Sequence, residues 1–417
     1  MKAIVAVLTA LVSTVVVSAS DPVIAATSWT TANSVATGDQ DVPAIATNRI
    51  GDVAVVWEDD RDATNPADDA HSEIFLRLFR NGTAAYEVKL SAAGTAGTNW
   101  KHITPDVGLD DRGNAVVVWA DDPDGNGFYN IPYRVVSPAG TVLASGRANA
   151  STDGQQIWPK VSVDPDGAPN TATGIAFTVV WEDIQGTNPA TVKAAGYTNS
   201  TTKAYEVTVN LAGGAHHRPD VAVSAAGDAV VVWDEDTDAN GFYQIGLTRL
   251  AKTNGAITLS RRSANVNGGG QQVRAAVAAT FTGDFAVAWE SDHTGTVGVW
   301  ARSFDSVGNP RHGDVAVSST AGAGAPAIGL DDQRTVVVAW TQLAADLDVW
   351  VRGLNPDGTD TARLAGQQLS QSTAGRQEGM VVAVSPWGEV SVAYTDDADG
   401  NTFDQVLLGL GTLNSVW

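Results

Sequence analysis

The apolar and polar positions of the chain follow one pattern that returns seven times. A unit begins with a short Pro-x-Val-like run, turns at Gly or Asp, continues as a Val-rich run that ends in an aromatic residue, and then becomes acidic. The second unit reads "TPDVGLDDRGNAVVVWAD" (104–121) and the fourth reads "RPDVAVSAAGDAVVVWDE" (218–235). The aromatic residues that end the Val-rich runs are 51 to 62 positions apart: Trp57, Trp119, Trp181, Trp233, Trp289, Trp340 and Tyr394. A period of this length indicates a repeat architecture.

Each unit predicts four short β-strands. In the second unit they fall at about 105–110, 114–120, 129–136 and 141–149, where Val, Ile and aromatic residues are bounded by Gly, Asp, Asn and Pro. No segment sustains a helical period. Four strands in a unit of about 50 residues, repeated seven times, predict an all-β fold, a seven-bladed β-propeller with four-stranded blades.

The two ends of the chain predict how the ring closes. The last unit stops after "FDQVLLGLGTLNSVW" (403–417), before a fourth strand, whereas "SWTTANSVATGDQ" (28–40) resembles the fourth strands of other units. We therefore expect the N-terminal strand to complete the last blade, which removes an exposed sheet edge. The recurrent aromatic residue is expected to fill the wedge between neighbouring twisted sheets.

The N-terminal residues predict export from the cell. Lys2 precedes an apolar stretch, and small residues offer cleavage after Ala19 or near Ala25 and Ala26, so residues 1–26 read as a signal peptide. Residues 27–417 then form a single propeller domain with no predicted membrane span. We expect a secreted or extracellular protein of bacterial type, either free or associated with the cell surface. It contains no cysteine, and a chain of this size can bury a core large enough to be stable without disulfides.

Charge and motifs exclude several function classes. A formal net charge of −22 excludes nucleic acid as a partner, because a phosphate backbone requires a basic face. The chain has no HExxH spacing, no G-x-S-x-G elbow, no cysteine nucleophile and no sialidase-type Asp box. A glycosidase needs two facing carboxylates. Glu58, Glu182 and Glu290 each follow the aromatic anchor, but the sequence does not single out a pair among them.

The links between blades hold the candidate binding residues. Alternation of strand direction places these links on the same face as the loops between second and third strands. Six of the seven links contain Gly-x followed by Gln, Asn or His, which either bonds backbone groups of the adjacent blade or forms a ring of amides for a polar ligand. Four consecutive links add aromatic and basic residues that can stack a sugar ring or hold a carboxylate: Trp100, Lys101, His102, Trp158, Lys160, His216, His217, Arg218 and Arg274.

Three of the acidic loops predict calcium sites. Calcium prefers six to eight oxygen ligands, and D-x-[DN]-x-[DN]-G loops supply them around a tight turn. "DPDGNG" (122–127) and "DTDANG" (236–241) fit this form, and "DADGNT" (397–402) lacks only the closing Gly. The candidate ligands are Asp122, Asp124, Asn126, Asp236, Asp238, Asn240, Asp397, Asp399 and Asn401. The alternative is that Asp, Asn and Gly simply stabilise a turn.

The loops resemble those of integrin-like FG-GAP propellers, and the whole repeat resembles exported bacterial propellers with W-x-D…D-G-N…I units. The first resemblance implies calcium, and the second implies no single activity. Because no catalytic motif is present, the favoured hypothesis is a lectin-like, non-enzymatic propeller that binds a carbohydrate or a protein partner. The alternatives are a glycoside hydrolase or polysaccharide lyase acting from the propeller funnel, and a structural cell-surface scaffold.

Overall fold

The computed structural model describes residues 26–61, 72–95, 100–167, 174–343, 347–364, 366–370, 375–397 and 403–413. Within these ranges the chain forms 28 β-strands in seven antiparallel sheets of four strands each. The sheets follow one another as the blades of a seven-bladed propeller, so the predicted fold is confirmed. Residues 1–25, which include nearly all of the predicted signal peptide, lie outside the described residues.

The first strand, β1, spans Ala26–Thr31 and belongs to the last blade. The strands of blade 1 are β2 (Gln40–Thr47), β3 (Asp52–Asp59), β4 (Glu73–Arg80) and β5 (Thr83–Lys89). Those of blade 2 are β6 (Lys101–Leu109), β7 (Ala115–Asp122), β8 (Pro132–Val136) and β9 (Val142–Arg147). Those of blade 3 are β10 (Gln155–Val163), β11 (Phe177–Ile184), β12 (Thr191–Tyr197) and β13 (Lys203–Thr208). The strands predicted for the second unit therefore exist, with ends that differ by a few residues.

The remaining blades repeat this order. Blade 4 contains β14 (Ala215–Val223), β15 (Ala229–Asp236), β16 (Gln244–Leu250) and β17 (Ile257–Ser263). Blade 5 contains β18 (Gln272–Ala279), β19 (Phe285–Ser291), β20 (Gly298–Phe304) and β21 (Val315–Ala316). Blade 6 contains β22 (Ala323–Leu330), β23 (Val336–Leu343), β24 (Leu347–Leu354) and β25 (Gln367–Gln368). Blade 7 contains β26 (Gln377–Val384), β27 (Glu389–Asp396), β28 (Gln405–Thr412) and β1.

The first strand of each blade lies innermost, where it contacts the first strands of both neighbouring blades. Its inner edge faces the central channel and has no ladder partner, which is why a proline near its start is tolerated. The second strand is the most buried, and every residue of β3 is buried. It carries the aromatic anchor between adjacent sheets. Six of the seven anchors are at most 1% exposed and Trp340 is 3% exposed, as expected for wedge residues.

Ring closure follows the sequence prediction but uses a shorter strand. β1 pairs antiparallel with β28 from Thr31, opposite Leu407, to Ala26, opposite Gly411. Trp29 packs edge-on against the wedge residue Tyr394, with ring centroids 5.6 Å apart. The prediction placed this strand at 28–40, whereas residues 32–39 form the link to blade 1. The Asn33 side-chain amide bonds both Gln40 and Gln405 and fixes this link.

Arg49 spans the channel at the face opposite the links between blades. It leaves the first hairpin of blade 1, places its guanidinium 3.6 Å from the ring centroid of Phe281 in blade 5, and pairs with Asp332 in blade 6 at 3.0 Å. The Trp387 indole of blade 7 donates to the Arg49 carbonyl at 3.1 Å. The other end of the channel is the broader one, and it carries the candidate site.

Candidate functional site at the channel mouth

A bulge that recurs in every blade shapes the mouth of the channel. The register of each innermost strand shifts at the residue before the proline position, and that residue has a left-handed backbone, with φ between 45° and 63°. Six of the seven are not glycine, although such a conformation costs about 1–3 kcal/mol each. The residues are Val42, Thr104, Trp158, Arg218, Arg274, Ala325 and Gly379. All seven line the mouth.

Carboxylates of the preceding blade stabilise four of these bulges. Glu58 accepts the Thr104 amide at 2.6 Å, and Glu290 accepts the Ala325 amide at 2.5 Å. In the same way, Glu182 and Asp234 accept the amides of Arg218 and Arg274. In these four cases the residue after the aromatic anchor therefore joins its blade to the next one through a hydrogen bond. This explains why Glu58, Glu182 and Glu290 recur in the sequence, and it gives all three a buried structural position.

The residues two positions after the left-handed ones form a second ring of side chains, and three of its seven members are charged. Two residues after each left-handed position, blades 2, 3 and 4 carry Asp106, Lys160 and Asp220, whereas the other four blades carry only Ala or Val. Lys160 Nζ lies 3.2 Å from Asp106 Oδ1. Asp106 also accepts the Val161 amide at 2.7 Å, and Asp220 accepts the Val277 amide at 2.7 Å. Three consecutive blades thus present an Asp–Lys–Asp row inside the mouth.

The surroundings keep protons available in this row. Burial raises the pKa of Asp220 to about 6, and the nearby positive charge of Lys160 opposes the rise only in part. Burial also raises the pKa of Asp106 above its usual range, again against Lys160. Burial acts to lower the pKa of Lys160, but the negative charges of Asp106 and Asp220 outweigh it and raise that pKa. The row therefore combines a lysine whose positive charge is favoured with two carboxyl groups that keep their protons to a higher pH than usual.

Large side chains surround the row on one side of the mouth. Trp158 is 46% exposed, and the side chains of Arg218 and Arg274 are 47% and 51% exposed. Buried carboxylates hold the guanidinium groups of both arginines, since Arg218 pairs with Asp234 at 3.2 Å and Arg274 pairs with Glu290 at 2.8 Å. The space between the innermost strands has a volume of about 550 Å³, which suits a small ligand.

His217 lies beside this group. Its Nδ1 is 2.8 Å from Glu182, and its ring centroid is 5.7 Å from that of Tyr243. The hydrogen bond with Glu182 raises the pKa of His217, against the effect of burial. His217 therefore adds a partly exposed cation to the mouth at acidic pH.

The structure separates the nine predicted binding residues into two groups. Trp158, Lys160, Arg218 and Arg274 line the mouth together, and His217 stands next to them. Trp100, His102 and His216 are only 9%, 2% and 1% exposed. Lys101 is half-buried on β6, opposite Asp122.

Burial of the two other histidines has a simple origin. His102 and His216 occupy the position, two residues before the bulge, that Gln40, Gln156, Gln272 and Gln377 occupy in other blades. All six are at most 2% exposed. His216 Nε2 bonds the Gly213 carbonyl at 2.8 Å, as Gln156 bonds the Asp153 carbonyl at 2.7 Å. The recurrent polar residue thus ties down the link between blades. "GTN" (97–99), assigned to this role from the sequence, lies outside the described residues.

Two of the acidic loops adopt the same closed turn. Asp122 Oδ1 accepts the Asn126 amide at 3.0 Å and its Oδ2 accepts the Gly127 amide at 2.8 Å. Asp236 makes the equivalent bonds to Asn240 and Gly241, each at 3.0 Å. Asp124 and Asp238 each accept from the side-chain amide of the turn's Asn. In the third loop, Asp399 and Asn401 lie outside the described residues, and only Asp397 is described.

Calcium at these loops stays a prediction. In the described residues no cluster of three or more His, Asp or Glu side chains is arranged to hold a metal ion. If the loops bind calcium, we expect the melting temperature to rise with millimolar calcium and to fall again with chelator, by mass action on the folded state. The matched control is a chain with Asp122→Asn and Asp236→Asn, in which the rise should disappear. A melting temperature indifferent to calcium would leave both loops as self-bonded turns.

The sequence-based reasoning missed Asp106 and Asp220. Their signal is present in the aligned repeats, where Pro105-Asp106 and Pro219-Asp220 stand opposite Pro159-Lys160 and opposite Ala or Val elsewhere.

The chain shares its fold with solved propellers at low sequence identity. A protein of unknown function from Dyadobacter fermentans is similar with a TM-score of 0.50 and 11% identity, over 93% of this chain and 98% of that one. An α-L-arabinofuranosidase of Fusarium graminearum, solved with arabinobiose, gives 0.51 and 10% over 77% and 96%. An α-L-arabinanase of Penicillium chrysogenum, also with arabinobiose, gives 0.50 and 10% over 76% and 94%. At these identities the likeness shows the fold alone.

No family model and no curated protein matches the chain. Nothing therefore supports the resemblance to FG-GAP propellers beyond the acidic loops. In the described residues no helix is long and apolar enough to cross a membrane. The favoured hypothesis of a non-enzymatic binding propeller is corrected, because the arabinofuranosidase and the arabinanase that share the fold are glycoside hydrolases.

Proposed function

We propose that the chain is a secreted glycoside hydrolase that cleaves its substrate at the channel mouth. The observation that carries the proposal is the Asp106–Lys160–Asp220 row, in which two carboxyl groups flank a lysine in an otherwise apolar ring. Glycosidic bonds are cleaved by a pair of carboxyl groups, one protonated and one ionised. Among the described residues that line the mouth, Asp106 and Asp220 are the carboxylic acids.

The two carboxyl groups have different neighbours, and this assigns their roles. Asp220, with a pKa of about 6, keeps its proton at mildly acidic pH and is the general acid that protonates the leaving oxygen. Asp106 makes the direct contact with Lys160, which favours its ionised form, and it supplies the carboxylate. It acts either as base toward water or as nucleophile, according to the separation of the two groups when substrate is bound. The exposed face of Trp158 offers a stacking surface for a sugar ring.

Fold-level analogy supports the same reaction class. The similar arabinofuranosidase and arabinanase were solved with arabinobiose, so the propeller architecture accommodates glycosidic substrates. This analogy does not identify the sugar. Export follows from the predicted signal peptide and suits an enzyme that acts on an extracellular polysaccharide.

The proposal is tested by incubating the purified chain with arabinan, xylan, galactan and polygalacturonate, and with aryl glycosides of the corresponding sugars. We expect release of reducing ends from at least one polymer at mildly acidic pH. Mass spectrometry of the products distinguishes hydrolysis from elimination, because a lyase leaves an unsaturated sugar. Absence of any product from the whole panel, with a folded protein, would contradict the proposal.

The pH profile should have its optimum on the acidic side of neutrality. Activity falls as pH rises through about 6, because Asp220 loses its proton, and falls at low pH as Asp106 gains one. Lys160→Met should move both limbs to higher pH, since Lys160 lowers both carboxyl pKa values. The matched control is Lys252→Met, which removes the partner of Asp164 outside the mouth. If the pH profile of the Lys160→Met variant is unchanged, the lysine has no part in the mechanism.

A further inference from the structure

Two phenylalanines are exposed on loops at the face of the propeller that holds the mouth. Phe128 is 52% exposed and Phe242 is 53% exposed. Each follows one of the two closed acidic turns, between the second and third strands of blades 2 and 4. A single exposed apolar residue needs no explanation. Two at the same position of two blades, in loops of almost the same sequence, indicate a selected feature of this face.

The main chain at the two phenylalanines is held by equivalent hydrogen bonds. The Phe128 amide donates to Asn126 Oδ1 at 2.7 Å, and the Phe242 amide donates to Asn240 Oδ1 at 2.7 Å. The turns are closed by Asp122 and Asp236, as described above. A loop whose main chain is fixed in advance of binding removes part of the entropic cost of ordering that loop around a ligand.

Each loop is also fixed to an innermost strand that carries a mouth residue. Gln155 donates its side-chain amide to the Gly127 carbonyl, and Gln271 donates to the Gly241 carbonyl at 2.8 Å. Gln155 stands three residues before Trp158, and Gln271 stands three residues before Arg274. A strand advances about 3.3 Å per residue, so each loop is anchored at most about 10 Å along the backbone from a residue of the mouth.

Polar groups line a depression beside Phe242. A depression of about 570 Å³ lies next to Phe242, and Glu235, Asp238, Asn240 and Gln244 contribute to its lining. Carboxylate and amide oxygens accept hydrogen bonds from hydroxyl groups. An apolar ring beside such acceptors matches a sugar, which offers a C–H face and a rim of hydroxyls. Its acidic surroundings do not suit an anionic ligand.

We propose that Phe128 and Phe242 are outer binding subsites for a polysaccharide whose cleaved unit occupies the mouth. This inference rests on the proposed function, which places the cleaved unit of the polysaccharide in the mouth. It adds that the substrate is a neutral polymer and not a disaccharide. Sugar units beyond the mouth stack on the two rings, one over blade 2 and one over blade 4. The same proposal assigns the closed acidic turns the role of holding these platforms.

The test is affinity electrophoresis of the full chain in native gels that contain arabinan, xylan, galactan or polygalacturonate. We expect a neutral polymer to retard the chain, and Phe128→Ala with Phe242→Ala to weaken that retardation by about tenfold or more. Affinity for the disaccharide of the same sugar, measured by titration calorimetry, should change by less than about twofold, because a disaccharide stays within the mouth. The control is Trp387→Ala, which removes a 65% exposed aromatic ring from the opposite face and should leave retardation intact.

The outcomes separate this inference from the proposed function. Retardation that depends on the phenylalanines, without cleavage of the polymer, would support the outer subsites and contradict the hydrolase. Cleavage with unchanged retardation of the double variant would overturn the subsites and leave the hydrolase standing. Retardation by polygalacturonate alone, or by no polymer, would also overturn the inference. Melting curves of each variant show that the loss comes from binding and not from unfolding.

Discussion

Replacing Asp220 by Asn should lower kcat on a polysaccharide or an unactivated glycoside by at least about 10²-fold, with little change in KM. General acid catalysis contributes about 10²- to 10⁴-fold, and an amide cannot transfer the required proton. The amide keeps the size of the carboxyl group and can still face the Val277 N–H through its oxygen. The effect should therefore appear in the chemical step and not in binding.

A substrate with an activated leaving group makes this prediction specific. Dinitrophenolate leaves without being protonated, so the Asp220→Asn variant should cleave a dinitrophenyl glycoside at a rate close to that of the unaltered chain. Asp106→Asn should lose activity on both substrates, because the carboxylate is needed in either case. A loss of equal size for both variants on both substrates would contradict the assigned roles.

The fold offers a matched control for these variants. Asp164 is also an aspartate paired with a lysine, Lys252, and burial raises its pKa to about 6. It lies at the end of β10 away from the mouth, beside the turn that follows this strand. Asp164→Asn should therefore leave turnover unchanged. If it reduced turnover as much as Asp220→Asn, a general loss of stability would explain both results.

Removing the closing strand should have the largest effect on stability. A chain that begins at Ala32 lacks β1, and the outer edge of β28 loses a partner that it pairs with over Leu407 to Gly411. The backbone hydrogen bonds of this pairing, at about 1 kcal/mol each, together with the packing of Trp29 on Tyr394, amount to a large fraction of the roughly 5–15 kcal/mol of a typical domain. We expect the melting temperature to fall by more than about 10 °C and the exposed edge to promote association.

Complementation tests whether the strand itself is responsible. A peptide with residues 26–33 should restore the melting temperature of the shortened chain by pairing with β28, as an added strand does at any free sheet edge. The control peptide carries Trp29→Asp and should not restore it. A shortened chain as stable as the full one would show that closure of the ring contributes little.

The hydrogen bonds between blades account for the recurrence of three glutamates that are candidates for catalysis from the sequence alone. Glu58, Glu182 and Glu290 accept amide hydrogens from strained positions of the next blade, and such positions persist only where the surroundings fix them. In blades 6 and 7 the equivalent residues are Thr341 and Thr395, whose hydroxyls donate to carbonyls of their own blade. Both devices satisfy buried backbone groups at the bulge.

The sequence by itself determined the architecture. Runs such as "VVVW" predict buried second strands, and the seven aromatic anchors and the incomplete last unit predict seven blades with a closing N-terminal strand. These features depend on local alternation and on repetition, which neighbouring residues already encode. The predicted end of the closing strand was wrong by several residues, because Asn33 ends the pairing through hydrogen bonds to Gln40 and to Gln405, which lies far away in the sequence.

Only the tertiary structure decided which polar residues meet at the mouth. Asp106, Lys160 and Asp220 are more than 50 residues apart in sequence, and they come together because closure of the ring places successive innermost strands side by side. The left-handed bulge then sets which side chains face the channel. It directs Trp158 and Arg218 into the mouth and leaves His102 and His216, two residues earlier, buried as structural residues. A pattern of residue types cannot show this change in side-chain direction, because it depends on the backbone conformation at the bulge and on the carboxylates of the preceding blade that accept the amide hydrogens there.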